Sequence, residues 1–324
     1  MKCKASLLLC AVVWPPVACA AAAEPILSYP ERPIRILVPA AAGGAGDLAI
    51  RMVAPRLIER FGQPIVIENR PGAGSVIGTD IVAKATPDGH TLLFTVASFT
   101  IIPSTYKKLP FDPIKDFAPV TTVNSFSFLV LVHPSVPANS VKELIALAKA
   151  KPGALNYASG GTGTPPHMGA ELFKSMAGID VVHVPYKGAD ATPALLGGQV
   201  QFYVGPFGTM MPYVKSGKLK ALAVTSVKRS LLLPELPTVA EAGLPGFEHS
   251  AWSGMLAPAR TPPAVVKKLA NEVAAAVKMP AISERFAAQG LELGGISPEA
   301  FAAQIKSEVA KWAKVARQAG IKPE

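Results

Sequence analysis

Apolar positions change their period repeatedly along the chain, and the first change is the most informative. Ile34, Ile36, Leu37 and Val38 form a short β-prone run, whereas Ile50, Val53, Ala54, Leu57, Ile58 and Phe61 recur at helical spacing. Between them lie only small residues, and Asp47 reads as the N-cap of the following helix. Gly62 ends that helix, a strand follows over 65–67, and Asn69 to Gly74 read as a turn. Ser75 then opens a helix expected to face Ile77, Ile81 and Val82 inward, and a strand over 91–96 follows the turn Pro87-Asp88-Gly89. This βαβαβ order predicts a parallel sheet covered by helices. Residues 103–119 read as a Pro-rich loop.

A second unit repeats the alternation. Residues 128–132 are a continuous apolar strand, and Ser140 with Glu143 forms a capping box for a helix reaching Lys151. Strands are expected over 156–158, 181–184, 201–204 and 219–224, with helices from Pro165, from Asp190 and over 210–216. A long connection, 226–250, leads to a strand over 252–256. Thr261-Pro262 caps a helix through Lys278, and Ser297-Pro298 caps another reaching Ala319. These last helices have no strands of their own to cover and are expected to pack back on the first sheet. The chain would then cross between two domains twice, as a hinged clamp.

The 324-residue length suits two domains. Lys2 and Lys4, the uncharged run over 5–23, Pro15-Pro16 and the small residues ending it read as an export signal cleaved after Ala20 or Ala23, rather than a membrane helix. A lipoprotein start at Cys19 is the other reading of that segment. Cys3, Cys10 and Cys19 all lie within it, so the mature chain would hold neither disulfide nor thiolate metal site, as suits an oxidising compartment. The net charge is +10, scattered without a basic block or aromatic-interleaved stripe, which argues against nucleic-acid binding and favours arrival of anionic ligands.

The candidate chemistry sits in two glycine loops. The first is Ala41-Ala42-Gly43-Gly44-Ala45-Gly46-Asp47 and the second Ser159-Gly160-Gly161-Thr162-Gly163-Thr164, each between strand and helix. Such loops leave N–H groups open at a helix N-terminus, where anions are favoured. Ser159, Thr162 and Thr164 add hydroxyls that can donate to carboxylate oxygens. Either loop alone is equally a plain βα turn; two of them in separate units favour a ligand. The run from Gly72 to Gly78 has the wrong spacing for a dinucleotide fingerprint. His167 and Glu171, one turn apart, would need a third ligand to hold a metal. His183 reads as a core or cleft-wall residue. Ser159 near His167 suggests the alternative of an exported hydrolase, without the elbow motif that usually presents such a serine.

Several motifs together resemble the tripartite tricarboxylate transporter substrate-binding proteins, also called the Bug family. They are Gly43-Gly44-x-x-Asp47-x-x-x-Arg51, Glu68-Asn69-Arg70-Pro71-Gly72-Ala73-Gly74, Pro87-Asp88-Gly89-His90-Thr91, Ser159-Gly160-Gly161-x-Gly163-Thr164-x-x-His167, His183-Val184-Pro185-Tyr186-Lys187-Gly188 and Trp252-x-Gly254-x-x-Ala257-Pro258. The resemblance implies an α/β two-domain clamshell of the type II-like periplasmic kind, each domain a mostly parallel sheet flanked by helices. Residues 24–126 plus 248–324 would form one domain and 127–247 the other. It implies a periplasmic, non-enzymatic, monomeric receptor that needs neither cofactor nor metal. Such a receptor holds a di- or tricarboxylate, acidic amino acid or aromatic carboxylate through backbone amides, then presents it to membrane transporter subunits or acts as an orphan sensor. Its ligand-binding residues map here onto the two loops, Ser98, His167, Tyr186 and the strand end Gly205, Pro206 and Phe207. The family's usual Pro before the first Gly-Gly is Ala42 here, and its Thr or Ser before the Asp is Gly46, so a side-chain hydroxyl is missing from the first loop.

Overall fold

The computed structural model describes residues 28–187 and 190–323. The expected export signal, 1–23, with its three cysteines, lies outside the described residues, as does Gly188. No helix among the described residues is long and apolar enough to cross a membrane.

The first unit runs β1 (Ile34–Val38), α1 (Ala45–Phe61), β2 (Ile65–Asn69), α2 (Val76–Ala83), β3 (Thr91–Val96) and a one-turn α3 (Ser98–Ile101). Next come β4 (Phe117–Val132), α4 (Val141–Ala150), β5 (Asn156–Ser159), α5 (Pro165–Ala177), β6 (Val182–Pro185), α6 (Ala191–Leu196), β7 (Phe202–Pro206), α7 (Phe207–Lys215) and β8 (Lys220–Val224). After the long connection come β9 (Ser250–Pro258), α8 (Pro263–Val277), α9 (Pro280–Ala288), the two-residue β10 (Glu292–Leu293) and α10 (Pro298–Gln318).

The long strand β4 belongs to two sheets. Its residues 117–127 pair with β9 beside β3, β1 and β2; its residues 128–132 pair with β7 and β8, and β7 leads on to β5 and β6. Pairings are parallel in the outer strands, β1 with β2 and β3, and β5 with β6 and β7. Those of β4 and β9 are antiparallel, because one strand leaves the first sheet and the other returns to it. The α/β architecture is therefore as expected, with mixed sheets where mostly parallel ones were anticipated.

Residues 117–119 of β4 fall at the end of the expected Pro-rich loop, and its residues 120–127 were not anticipated as strand. Pro119 is tolerated because the register with β9 shifts beside it, and a bulge does not need the missing N–H. Helix α9 and β10 were also not anticipated. Pro280 stands at the start of a new helix immediately after α8, where proline's fixed φ suits the first turn.

Helix α2 keeps Val82 inward as expected but turns the two isoleucines of its apolar pattern outward. Ile77 and Ile81 are exposed, and Gly78, Thr79 and Val82 are buried. A Cβ at Gly78 would lie 2.7 Å from the Arg70 carbonyl and 2.9 Å from Pro39. Only the glycine face can approach so closely, and that contact outweighs the isoleucines' preference for burial.

Helices α1, α8 and α9 cover one face of the first sheet around Ile50, Leu57, Val273 and Phe286, as expected for α8. The last helix does more than pack back on that sheet. Trp312, Val315 and Ala316 of α10 sit with Ile101 of α3 and Met168 of α5, so α10 holds elements of both sheets.

The chain changes sheets at β4 and again through residues 225–249, and one hydroxyl joins the two crossings. The Phe128 N–H donates to Thr225 Oγ1 at 2.7 Å, and Thr225 Oγ1 donates to the His249 carbonyl at 2.6 Å. The His249 N–H returns to the Thr225 carbonyl at 2.9 Å. Beside them the His249 ring stacks on Phe128 with centroids 4.3 Å apart. Thr225→Val keeps the shape but strands a buried N–H and a buried carbonyl. It is expected to cost about 1–3 kcal/mol in chemical denaturation; a change within error would show that the hydroxyl is not what joins the crossings.

Candidate functional site

The first glycine loop lies between the end of β1 and α1. Ala41, Ala42 and Gly43 are exposed and Gly44 is half-buried. The N-cap of α1 is Gly44, so Asp47 is not the cap that the sequence suggested. Asp47 stands in the first turn and reaches back, its Oδ2 accepting the Gly43 N–H at 2.8 Å. Arg51 Nε donates to both carboxylate oxygens at 2.9 Å, and Asn69 Nδ2 donates to Oδ1 at 3.0 Å and to the Ala40 carbonyl at 3.1 Å. The side chain is 1% exposed. Its carboxylate thus shapes the loop from behind. Gly46 is also buried and lies against Val96, so a hydroxyl there would meet the sheet. The first i→i−4 bond of α1 is made by Leu48 to Gly44, and the N–H groups of Ala45, Gly46 and Asp47 precede it.

The second loop lies between β5 and α5. Ser159 is fully buried, and its Oγ accepts the Gly161 N–H at 3.1 Å and lies 2.7 Å from His183 Nε2. Thr164 Oγ1 donates to the Gly161 carbonyl at 2.7 Å. Both hydroxyls are spent on the loop's own shape, and Thr162 is the exposed one of the three. The Gly163 N–H donates to His167 Nδ1 at 3.1 Å, which leaves the ring's proton on Nε2. Gly161 has φ +122°, a conformation that side chains rarely adopt. Tyr186 is half-buried, and its N–H bonds to the Ser159 carbonyl at 2.9 Å.

Behind this loop, His167 and His183 stack with centroids 4.0 Å apart, and Tyr157 stacks on His183 at 4.8 Å. Burial, with His183 and Lys174 nearby, pushes His167 down to about 3. Burial, with Lys174, lowers His183 as well. Glu171 accepts from the Tyr157 hydroxyl and from Lys174 Nζ, the latter at 2.8 Å. His167 and Glu171 thus serve separate partners, and the histidine within reach of Ser159 is His183 rather than His167.

The residues that directly follow the two loops line one cavity of about 510 Å³. Leu48 and Ala49 follow the first loop, Pro165 follows the second, and Ala97 precedes Ser98; all four line it. Pro206 and Gly208 bring in the start of α7, while Phe207 itself is buried in the core and Gly205 packs on Met210 and Tyr203. Of the residues expected at the site, Pro206 alone lines the cavity. Sequence reading missed Met52, Asn124, Phe126, Ser253, Phe286 and Leu291, which come from α1, β4, β9, α9 and the turn after it. A spacing of two between Asn124 and Phe126 was the one available signal, hidden by the strand's unread first part. Gly163 also lies against Thr105, so the second loop already touches the first half of the chain.

The model of the tripartite tricarboxylate transporter family receptor matches residues 49–321. The chain belongs to this receptor family. The protein BugT of Bordetella pertussis is 36% identical over 97% of this chain and 98% of its own. Among solved structures, R. palustris Rpa4515 with adipate is 36% identical at a TM-score of 0.78, covering 91% of this chain and 100% of its own. The periplasmic binding protein BugD is 37% identical at a TM-score of 0.75, again covering 91% and 100%. The receptor family is one of periplasmic solute-binding proteins.

In this family member, Asp47 ties three parts of the first loop together. Burial pushes its carboxyl up, but hydrogen bonds from Arg51, the Gly43 N–H and Asn69 outweigh that and hold it below the usual carboxylate range. A folded pKa below the unfolded value of about 3.9 stabilises the fold fully above that value, and the contribution is lost as pH falls through the folded pKa. Asp47→Ala is expected to lose about 1–3 kcal/mol at neutral pH. The gap to the parent should narrow in acid. Denaturant titrations near pH 7 and pH 3 check this; an equal gap at both would mean the carboxylate is not held ionised by its partners.

Proposed function

We propose that this receptor captures a small carboxylate in a cleft between two domains, 24–126 plus 248–324 and 127–247, and releases it unchanged to membrane transporter subunits. The carboxylate would be met by N–H groups of the loops at Ala41–Asp47 and Ser159–Thr164, with the start of α7 as a third contact.

One observation carries this reading: the residues directly following two glycine loops, Leu48 and Pro165, line the same cavity, each loop stands between a parallel strand and a helix, and among the described residues no charged side chain lines the cavity. An anion there can be held only by aligned peptide dipoles and neutral donors, which such loops supply. The overall +10 charge favours anion arrival without placing a cation inside. The solved relative with adipate supports a carboxylate as the cargo. The fully buried Ser159, occupied by Gly161 and His183, supports binding rather than hydrolysis.

The test is ligand-dependent stability and shape. Adipate and 3-phenylpropanoate are screened by thermal shift, since a ligand that binds only the folded state adds about 2.7 kcal/mol at a hundredfold excess over Kd. At least one is expected to raise Tm and to lower the radius of gyration in small-angle scattering as the halves close. Gly161→Val forces a side chain into φ +122° and is expected to abolish the shift while the circular dichroism spectrum is kept. Binding undiminished in Gly161→Val would remove the second loop from the site.

A further inference from the structure

The cavity has a polar floor that the glycine loops do not explain. Along β9, Ala251 and Ser253 line the cavity, whereas the intervening Trp252 points the other way, its Nε1 donating to Glu308 of α10 at 2.9 Å. Ser253 is 3% exposed, and its Oγ is buried without a hydrogen-bond partner among the described residues. Its register partner on β4 is Asn124, also 3% exposed and also lining the cavity. Leu48, Met52, Phe126, Phe286 and Leu291 supply apolar walls of the same cavity.

Resting on the carboxylate reading above, we propose that the cavity selects monocarboxylates with an apolar body ending in an uncharged hydrogen-bonding group, and that Ser253 and Asn124 read that group. The carboxylate takes the loop N–H groups at one end. The body lies along the apolar walls, whose burial drives binding. At the far end, a hydroxyl or carbonyl gives the Ser253 hydroxyl the partner it lacks, and Asn124 can both donate and accept beside it. A second carboxylate at that end would lose its hydration where no Lys, Arg or His lines the cavity to compensate. An unsubstituted apolar end would leave the Ser253 hydroxyl buried and unmatched.

Calorimetry on the purified protein uses three probes: 3-(4-hydroxyphenyl)propanoate, 3-phenylpropanoate and adipate. The hydroxylated acid is expected to bind roughly tenfold more tightly than either of the others, the worth of one well-made hydrogen bond. Ser253→Ala removes the hydroxyl that a phenyl end leaves unmatched and should erase that advantage, with 3-phenylpropanoate bound at least as tightly as by the parent, while an unchanged circular dichroism spectrum shows that the variant is folded. Adipate binding most tightly, or a hydroxyl advantage that survives Ser253→Ala, overturns the proposal and leaves the carboxylate reading standing. No binding of any of the three acids overturns both.

Discussion

Everything that makes this molecule two-sided passes through the hydroxyl of Thr225. The chain changes sheets at Phe128 and comes back at His249, and Thr225 Oγ1 bonds to both residues within 2.7 Å. Backbone groups at a crossing have left one ladder without fully entering the next, and when buried they must still be paired. A single hydroxyl that accepts from one crossing and donates to the other satisfies this and binds the two strands to each other.

The site follows a consistent economy of charge. Ionised side chains stand behind the first loop, where Asp47 and Arg51 hold it together with the neutral amide of Asn69, and neutral histidines support the second through Ser159 and Gly163. Among the described residues, no ionisable side chain lines the cavity. Burial keeps His167 and His183 uncharged near neutral pH, so the second loop's support does not compete electrostatically with an anion. On the proposed reading, carboxylate recognition would depend on peptide dipoles whose direction is set by helix starts. These dipoles need no desolvated counter-charge and no reorganisation when a ligand enters.

The loops themselves show why side-chain identity was a poor guide to contact. Ser159 and Thr164 look like ligand donors by composition, yet each is consumed in shaping its own turn. Asp47 looks like a cap for its own helix and instead caps the residue before the N-cap. In both loops short polar side chains fold back on nearby backbone, which is their ordinary competition with other partners.

Local pattern alone determined the order of most strands and helices, both glycine loops, the capping box at Ser140 and Glu143, and the stop at Gly62, because period, caps and left-handed turns are short-range physics. The family, too, was legible in its scattered motifs. The tertiary structure decided the rest. Pro119 hid half of β4, since only the register shift against β9 shows that its missing N–H is not needed. Ile77 and Ile81 face out because Gly78 fits against Pro39. The cavity draws on β4, β9 and α9, far apart in the chain, and its unpartnered Ser253 becomes visible only when Asn124 lies opposite it. A residue's partners across a sheet are a property of register, which no local window contains.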